Sequence, residues 1–249
     1  MGLLGAIQFL TRIPLKLPRP IEHARAVPWF PIVGVLIGAA VGGAAAGLAE
    51  LVPTAVAAAC AIVLGLLITG AFHEDGLADI SDAFGGGATR ERRLEILKDP
   101  RHGTYGVAAL TASVVLRVVS AGSISSQAAL LAGFVAAHTL GRTAAVATML
   151  LSSAIPNEGL GADHTRRLRP VPTVFGAAAG VAVTVAVTGW WAVPLVVVAA
   201  VGTVATVRLA MRKVGEINGD TLGAIEQVTE CLVLVTITGL AARHAVWWS

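Results

Sequence analysis

His73-Glu-Asp-Gly-Leu-Ala-Asp-Ile-Ser-Asp82 sets four carboxylates and a histidine at the end of an apolar run, residues 53–72. That run is long enough to cross a bilayer. Charge at a membrane boundary is costly unless something pairs with it or uses it, so such acids point to function. Asp75, Asp79 and Asp82 recur at i, i+4 and i+7, which places them on one face if the segment is helical. Three like charges on one face repel, and a divalent cation is the simplest group that would hold them together.

Outward from that stretch, the chain is apolar nearly throughout. Of 249 residues, 55% are hydrophobic and 13% charged, against roughly 25% charged in soluble domains. The mean hydropathy is +0.78. Apolar runs long enough to span follow at 28–50, 53–72, 103–122, 126–152, 171–189, 191–211 and 220–247, seven in all. The reading is all-α: one polytopic membrane bundle over residues 1–249, with no soluble appendage. Leu3, Leu4, Ile7 and Leu10 make a shorter helix, either lying at the membrane surface or packed on the bundle. Met1–Arg12 lacks a basic n-region and does not read as a signal peptide. Cys60 and Cys231 both fall in apolar segments, which argues against a disulfide or a metal–thiolate site.

Lysine and arginine set the orientation. Fifteen of the eighteen fall before the first span or in the connections at 73–102, 153–170 and 208–219, all on one side. By the positive-inside rule that side is cytoplasmic, so the N-terminus lies inside and the C-terminus outside. The pI near 9.3 is thereby explained without an anionic or nucleic-acid partner. Trp190, Trp191, Trp247 and Trp248 fall at outer ends, as interfacial aromatics do. Gly34, Gly38 and Gly42, four apart, form a helix-packing face.

This topology gathers three polar clusters on the cytoplasmic side. The first is His73–Asp82, followed by the break Phe84-Gly-Gly-Gly87 and a short helix at Arg90–Asp99 that Thr89 caps. The second, Lys98-Asp-Pro-Arg-His-Gly-Thr-Tyr-Gly106, offers glycines for close backbone approach and Lys98 and Arg101 for phosphate oxygens. Positive-inside topology alone would equally explain those two cations. The third, Gly215-Glu-Ile-Asn-Gly-Asp-Thr-Leu-Gly223, leads into Glu226 and Glu230 on nearly one helix face. These acids either serve a ligand or pair with Arg117 and Arg142 inside the spans. The pattern describes a Mg²⁺-dependent membrane enzyme acting on a phosphorylated substrate, with carboxylates for the cation and Arg/Lys for developing phosphate charge.

Several long motifs in order carry a resemblance to a known family. They are Ala6-Ile-Gln-Phe-Leu-Thr-Arg-Ile-Pro14, Phe30-Pro-Ile-Val-Gly34, Gly70-Ala-Phe-His-Glu-Asp-Gly-Leu-Ala-Asp79, Leu94-Glu-Ile-Leu-Lys-Asp-Pro-Arg-His-Gly-Thr-Tyr-Gly106 and Asn218-Gly-Asp-Thr-Leu-Gly-Ala224. Over nearly its whole length the chain resembles the cobalamin synthase (adenosylcobinamide-GDP ribazoletransferase) family. It departs from the family pattern at Glu74, usually apolar, and at Pro100, usually serine.

The resemblance implies an integral protein of a prokaryotic inner membrane, its site facing the cytoplasm, with the lipid bilayer as partner and room for a homo-oligomer. Its implied substrates are adenosylcobinamide-GDP and α-ribazole or its 5′-phosphate, and its implied cofactor is Mg²⁺. The family's acidic motif carries metal binding onto Asp75, Asp79 and Asp82, with Asp220 joining the metal or the ribazole. Asp82 is the preferred general base for the ribose 3′-hydroxyl and His73 the second choice. Lys98 and Arg101 clamp phosphate, and His102, Gly103, Asn218, Glu226 and Glu230 complete the substrate contacts. Two other functions compete: a CDP-alcohol phosphotransferase making phospholipid, and a transporter, which would place polar residues at mid-span in several helices.

Overall fold

The computed structural model describes residues 2–16, 22–151 and 168–249. Among them every regular element is helical. The helices are α1 (Gly2–Leu10), α2 (His23–Ala26), α3 (Phe30–Leu48), α4 (Thr54–Thr69), α5 (Phe72–Gly86), α6 (Arg90–Ile96), α7 (Thr104–Gly122), α8 (Gln127–Leu151), α9 (Pro170–Thr188), α10 (Ala192–Lys213) and α11 (Gly219–Ala241). Five segments are long and apolar enough to cross a membrane, or six if the bent pair α4–α5 is one span. The segment Pro170–Lys213, containing α9 and α10, is counted there as one.

Helix α8 is the buried centre, packed by α3, α9, α10 and α11. The glycine stripe explains the tightest of these contacts. A Cβ on Gly34 would lie 2.5 Å from the His138 carbonyl oxygen, and one on Gly38 2.6 Å from that of Phe134. Backbones this close are how small residues hold helices together in lipid, where apolar burial gives no drive. Hydroxyls within spans are satisfied locally: Thr69, Thr143 and Thr184 each donate to the carbonyl four residues back.

The turn between α4 and α5 decides where the acids stand. Gly70 (φ 68°) and Ala71 (φ 57°) are both left-handed, and the two helix axes meet at 91°. A left-handed residue with a side chain costs about 1–2 kcal/mol, so surrounding packing holds Ala71 there. The bend swings α5 across the end of the bundle. Helix α5 then runs through Gly85 and Gly86, so the expected glycine break arrives only at Gly87. The Tyr105 ring lies over Gly85, where a Cβ would come 2.5 Å from its Cγ.

Helix α1 resolves the N-terminal alternative in favour of packing. Ala6 and Leu10 are buried, and the Phe9 ring stacks on Phe30 with centroids 5.6 Å apart. The described basic segments collect at the α5 end of the bundle. There Arg93 Nη1 donates to the Lys213 carbonyl (2.9 Å) and Lys213 Nζ to that of Phe84 (3.3 Å). Arg19, Arg166 and Arg167, part of the charge pattern, lie outside the described residues.

At the opposite end Trp247 Nε1 donates to the Ala186 carbonyl (3.1 Å) and Trp248 Nε1 to that of Val187 (2.7 Å). Trp190, Trp247 and Trp248 are exposed, as interfacial aromatics are. Trp191 is not: it is 1% exposed and belongs to the core, because the turn Gly189–Trp191 folds it beneath the helix ends.

Candidate active site

Helix α5 presents two faces of opposite character. Its outer face carries Asp75 and Asp79, and its inner face buries His73 and Glu74. On the outer face His102, from the connection into α7, lies 3.4 Å by Nε2 from Asp75 Oδ1 and 3.3 Å by Nδ1 from Asp79 Oδ1. One ligand atom from each of these three residues falls within 4.8 Å of the others, a spacing that can hold a cation. His102, expected among the substrate contacts, therefore sits with the metal-type acids instead.

Asp82 does not join that group. Its Oδ2 accepts the Gly103 N–H (2.6 Å) and its Oδ1 the Gly106 N–H (2.8 Å). Both oxygens are committed to the first turn of α7, where a carboxylate also meets the positive helix end. The i, i+4, i+7 spacing is right, but the third acid is a clasp between α5 and α7. Gly103 is correspondingly occupied: a Cβ there would lie 2.7 Å from Asp82 Oδ1.

Helix α11 approaches α5 at Gly76, where a Cβ would meet the Asp220 backbone oxygen at 2.9 Å. Asp220 thereby comes within Coulombic reach of Asp79 and Asp75. Asn218 caps α11, its Oδ1 accepting Thr221 N–H (2.9 Å) and Thr221 Oγ1 (2.8 Å).

Behind these acids lies a buried charge network. Glu226 lies 2.7 Å from His73 Nε2 and forms an ion pair with Arg142, whose Nε is 2.5 Å from Oε1. Glu230 meets Arg142 Nη1 (2.5 Å), His138 Nδ1 (2.6 Å) and Arg117 Nη1 (3.3 Å). Arg117 Nη1 also reaches Glu74 Oε1 (3.0 Å). Of the two readings of the α11 acids, pairing with Arg117 and Arg142 is the one the geometry realises. Glu230 is enclosed by these partners. Glu226 also lines a cleft. Glu74, the departure from the family pattern, belongs to this network and not to the outer acids.

Two clefts meet at Asp75. One, of about 250 Å³, has apolar walls including Phe9, Phe30 and Phe72, with His73, Asp75, Asn218, Asp220 and Glu226 along its polar side. The other, of about 270 Å³, is lined by Arg12, Glu74, Asp75 and His102 over the Gly70–Ala71 turn. Arg12 went unrecognised in sequence as a site residue because it reads as one more positive-inside charge. Its backbone N–H donates to the Ile68 carbonyl (2.7 Å), and its side chain crosses Gly70, where a Cβ would come 2.0 Å from Nε.

Lys98 and Arg101 line neither cleft. Arg101 is 86% exposed and engages Asp99 through Nε (2.9 Å) and Nη2 (2.7 Å). Hydrogen bonds from Arg101 hold the Asp99 carboxyl down to about 2.

A membrane-embedded helical bundle with a two-cleft acidic site at one end defines a class, the integral-membrane enzymes. Comparison with known proteins narrows it: the cobalamin-5-phosphate synthase family matches residues 2–238. The chain belongs to that family. It is 37% identical to an adenosylcobinamide-GDP ribazoletransferase of Ralstonia nicotianae, over 92% of this chain and 91% of the relative. Relatives of the same name from Bradyrhizobium diazoefficiens (37%; 92% and 90%) and Pseudomonas aeruginosa (37%; 95% and 97%) are similar along their lengths. No solved structure matches the chain.

Proposed function

We propose that this protein joins α-ribazole, or its 5′-phosphate, to adenosylcobinamide-GDP. The ribose 3′-hydroxyl attacks the phosphorus on the cobinamide side, a phosphodiester forms, the pyrophosphate bond breaks, and GMP leaves with the bridging oxygen. Family membership and the relatives' shared activity support this reading over phospholipid synthesis or transport. The observation that carries it is the meeting of two clefts at one acid, Asp75, as a reaction between two large substrates requires.

Asp75 and Asp79 fit Mg²⁺, which prefers hard carboxylate oxygens; the His102 imidazole is a softer donor and suits a hydrogen bond to the same group. When bound, the cation would neutralise charge on the pyrophosphate oxygens. Arg12 stands where a guanidinium can meet phosphate in the second cleft, a role that Lys98 and Arg101 do not fill. With Asp82 committed to α7, His73 takes the 3′-hydroxyl proton. Its Nε2 lies 2.7 Å from Glu226 Oε2, and its Nδ1 is the nitrogen left to accept that proton, in exchange for its long 3.5 Å contact with Arg142 Nη2.

The chain crosses the inner membrane seven times, with its N-terminus and site cytoplasmic and its C-terminus outside. Pro170–Lys213, at 44 residues, would measure about 66 Å as one helix, against roughly 30 Å of hydrocarbon. Gly189, at φ 59°, divides it. Gly176 of α9 abuts Pro28 near the start of α3, the α9 end meets Trp247, and α10 returns to Arg93. Purified protein in nanodiscs, given adenosylcobinamide-GDP, α-ribazole and Mg²⁺, should release GMP with formation of a cobalamin. Absence of GMP release under those conditions refutes the reading.

A further inference from the structure

We propose that the aromatic-walled cleft is the subsite for the nucleoside base, taking the flat, uncharged benzimidazole ring of ribazole against its phenylalanines. The inference rests on the proposed reaction and adds to it which substrate enters which cleft.

The wall is built from three separate parts of the chain. Phe9 of α1 stacks on Phe30 of α3, centroids 5.6 Å apart and planes 4° from parallel. Phe72, the first residue of α5, meets Phe9 edge-on at 5.4 Å. Stacked and edge-to-face pairs are the favoured aromatic geometries, so these rings brace one another. The space beside Phe9 and Phe30 is too narrow for a third ring between them, and the base therefore lies on the cluster's open side.

Size and polarity choose among the three ring systems the reaction brings. Sites for drug-sized ligands run to about 300–1,000 Å³; a cleft of about 250 Å³ admits a bicyclic base and not a corrin macrocycle. Guanine carries donors and acceptors around its edge, and those turned to phenylalanine, Leu10 and Met149 would lose water without gaining a partner. A methylated benzimidazole has almost nothing to leave unpaired. The cleft's polar side, with His73, Asp75 and Asp220, then falls to the ribose. That points the sugar toward Asp75, the acid shared with the Arg12 cleft, where the activated phosphate belongs in the proposed reaction.

The test uses full-length protein in nanodiscs. Binding of α-ribazole alone is measured by equilibrium dialysis, and KM for each substrate by GMP release. Base–aromatic stacking is strong enough that Phe9→Ala and Phe72→Ala should each weaken ribazole binding and raise its KM by about tenfold. The KM for adenosylcobinamide-GDP should stay within about twofold of wild type. Phe9→Tyr keeps the ring and should retain ribazole affinity, which separates loss of stacking from loss of fold. Unchanged ribazole affinity in both alanine variants overturns the inference, as does a rise confined to the KM for adenosylcobinamide-GDP. Phe9-dependent ribazole binding in a wild-type protein that releases no GMP would support the subsite and refute the reaction. GMP release with a ribazole KM indifferent to Phe9 and Phe72 would do the reverse.

Discussion

His73 Nε2 donates to Glu226 Oε2 across 2.7 Å, tying the acid-bearing helix α5 to the last helix, α11, in the wall of the aromatic cleft. The carboxylate on Nε2 and Arg142 Nη2, 3.5 Å from Nδ1, together hold the imidazole in place, as orienting groups do elsewhere. Removing the base, in His73→Ala, should lower kcat for GMP release by about 10²–10⁴-fold. Glu226→Gln should lower kcat less, with substrate KM values nearly unchanged. Equal kcat in wild type and His73→Ala would move the base elsewhere.

Asp79 and Asp82 should separate cleanly. Asp79→Asn should abolish most turnover and raise the Mg²⁺ concentration for half-maximal rate, because it removes a ligand of the proposed cation. Asp82→Asn should instead lower stability, by about 1–3 kcal/mol for the backbone donors left poorly paired, since its oxygens clasp α7. Thermal unfolding in detergent, with and without excess Mg²⁺, distinguishes the two; excess cation should rescue neither fold nor rate in Asp82→Asn.

Arg142→Met leaves Glu226 and Glu230 without their shared guanidinium in a fully buried setting. Breaking one side of such a pair costs about 3–5 kcal/mol. A marked fall in Tm or in folded yield is expected, whereas an unchanged Tm would show that the network does not hold the bundle.

Arg12→Ala should raise the KM for adenosylcobinamide-GDP at least several-fold, and Arg101→Ala should leave it near wild type. The Asp99–Arg101 pair has a depressed carboxyl, from 3.8 to about 2. Its contribution is therefore fully present above the ordinary carboxylate range and is lost only as pH falls toward 2. Between pH 5 and 8 Asp99→Asn should not alter the pH profile of GMP release. A changed profile would tie this exposed pair to the chemistry after all.

Ala71, left-handed at φ 57° beside Gly70, invites relief of strain. Ala71→Gly should raise stability by about 1 kcal/mol, read as a higher Tm, unless the freer turn lets the 91° bend relax. In that case turnover falls while Tm does not rise.

Apolar periodicity alone revealed most of the helices: the runs at 103–122 and 126–152 fall within a residue of α7 and α8. The packing role of Gly34, Gly38 and Gly42 was equally plain, because four-residue spacing has few other uses in lipid. Asp75 and Asp79 were correctly placed on a shared outer face. Asp82 shares that spacing, but its destination depended on where Gly103 and Gly106 would arrive, a long-range matter that no local pattern encodes. The same holds for Arg12 and the three phenylalanines, ordinary residues until α1, α3 and α5 bring them together. Trp191 looked interfacial by position, yet one residue of turn geometry separates it from exposed Trp190.

The buried ionic network also constrains how the protein is made. Translation delivers Arg117 in α7 and Arg142 in α8 before Glu226 and Glu230 in α11 emerge. Glu74 of α5 precedes them all and can meet Arg117 early, but Arg142 finds its acidic partners only in the final helix. A guanidinium alone in hydrocarbon is expensive, so nascent chain lacking α11 is an unfinished object that lipid will not accommodate comfortably. The last segment to be made thus completes the charge balance of the helix at the centre of the bundle.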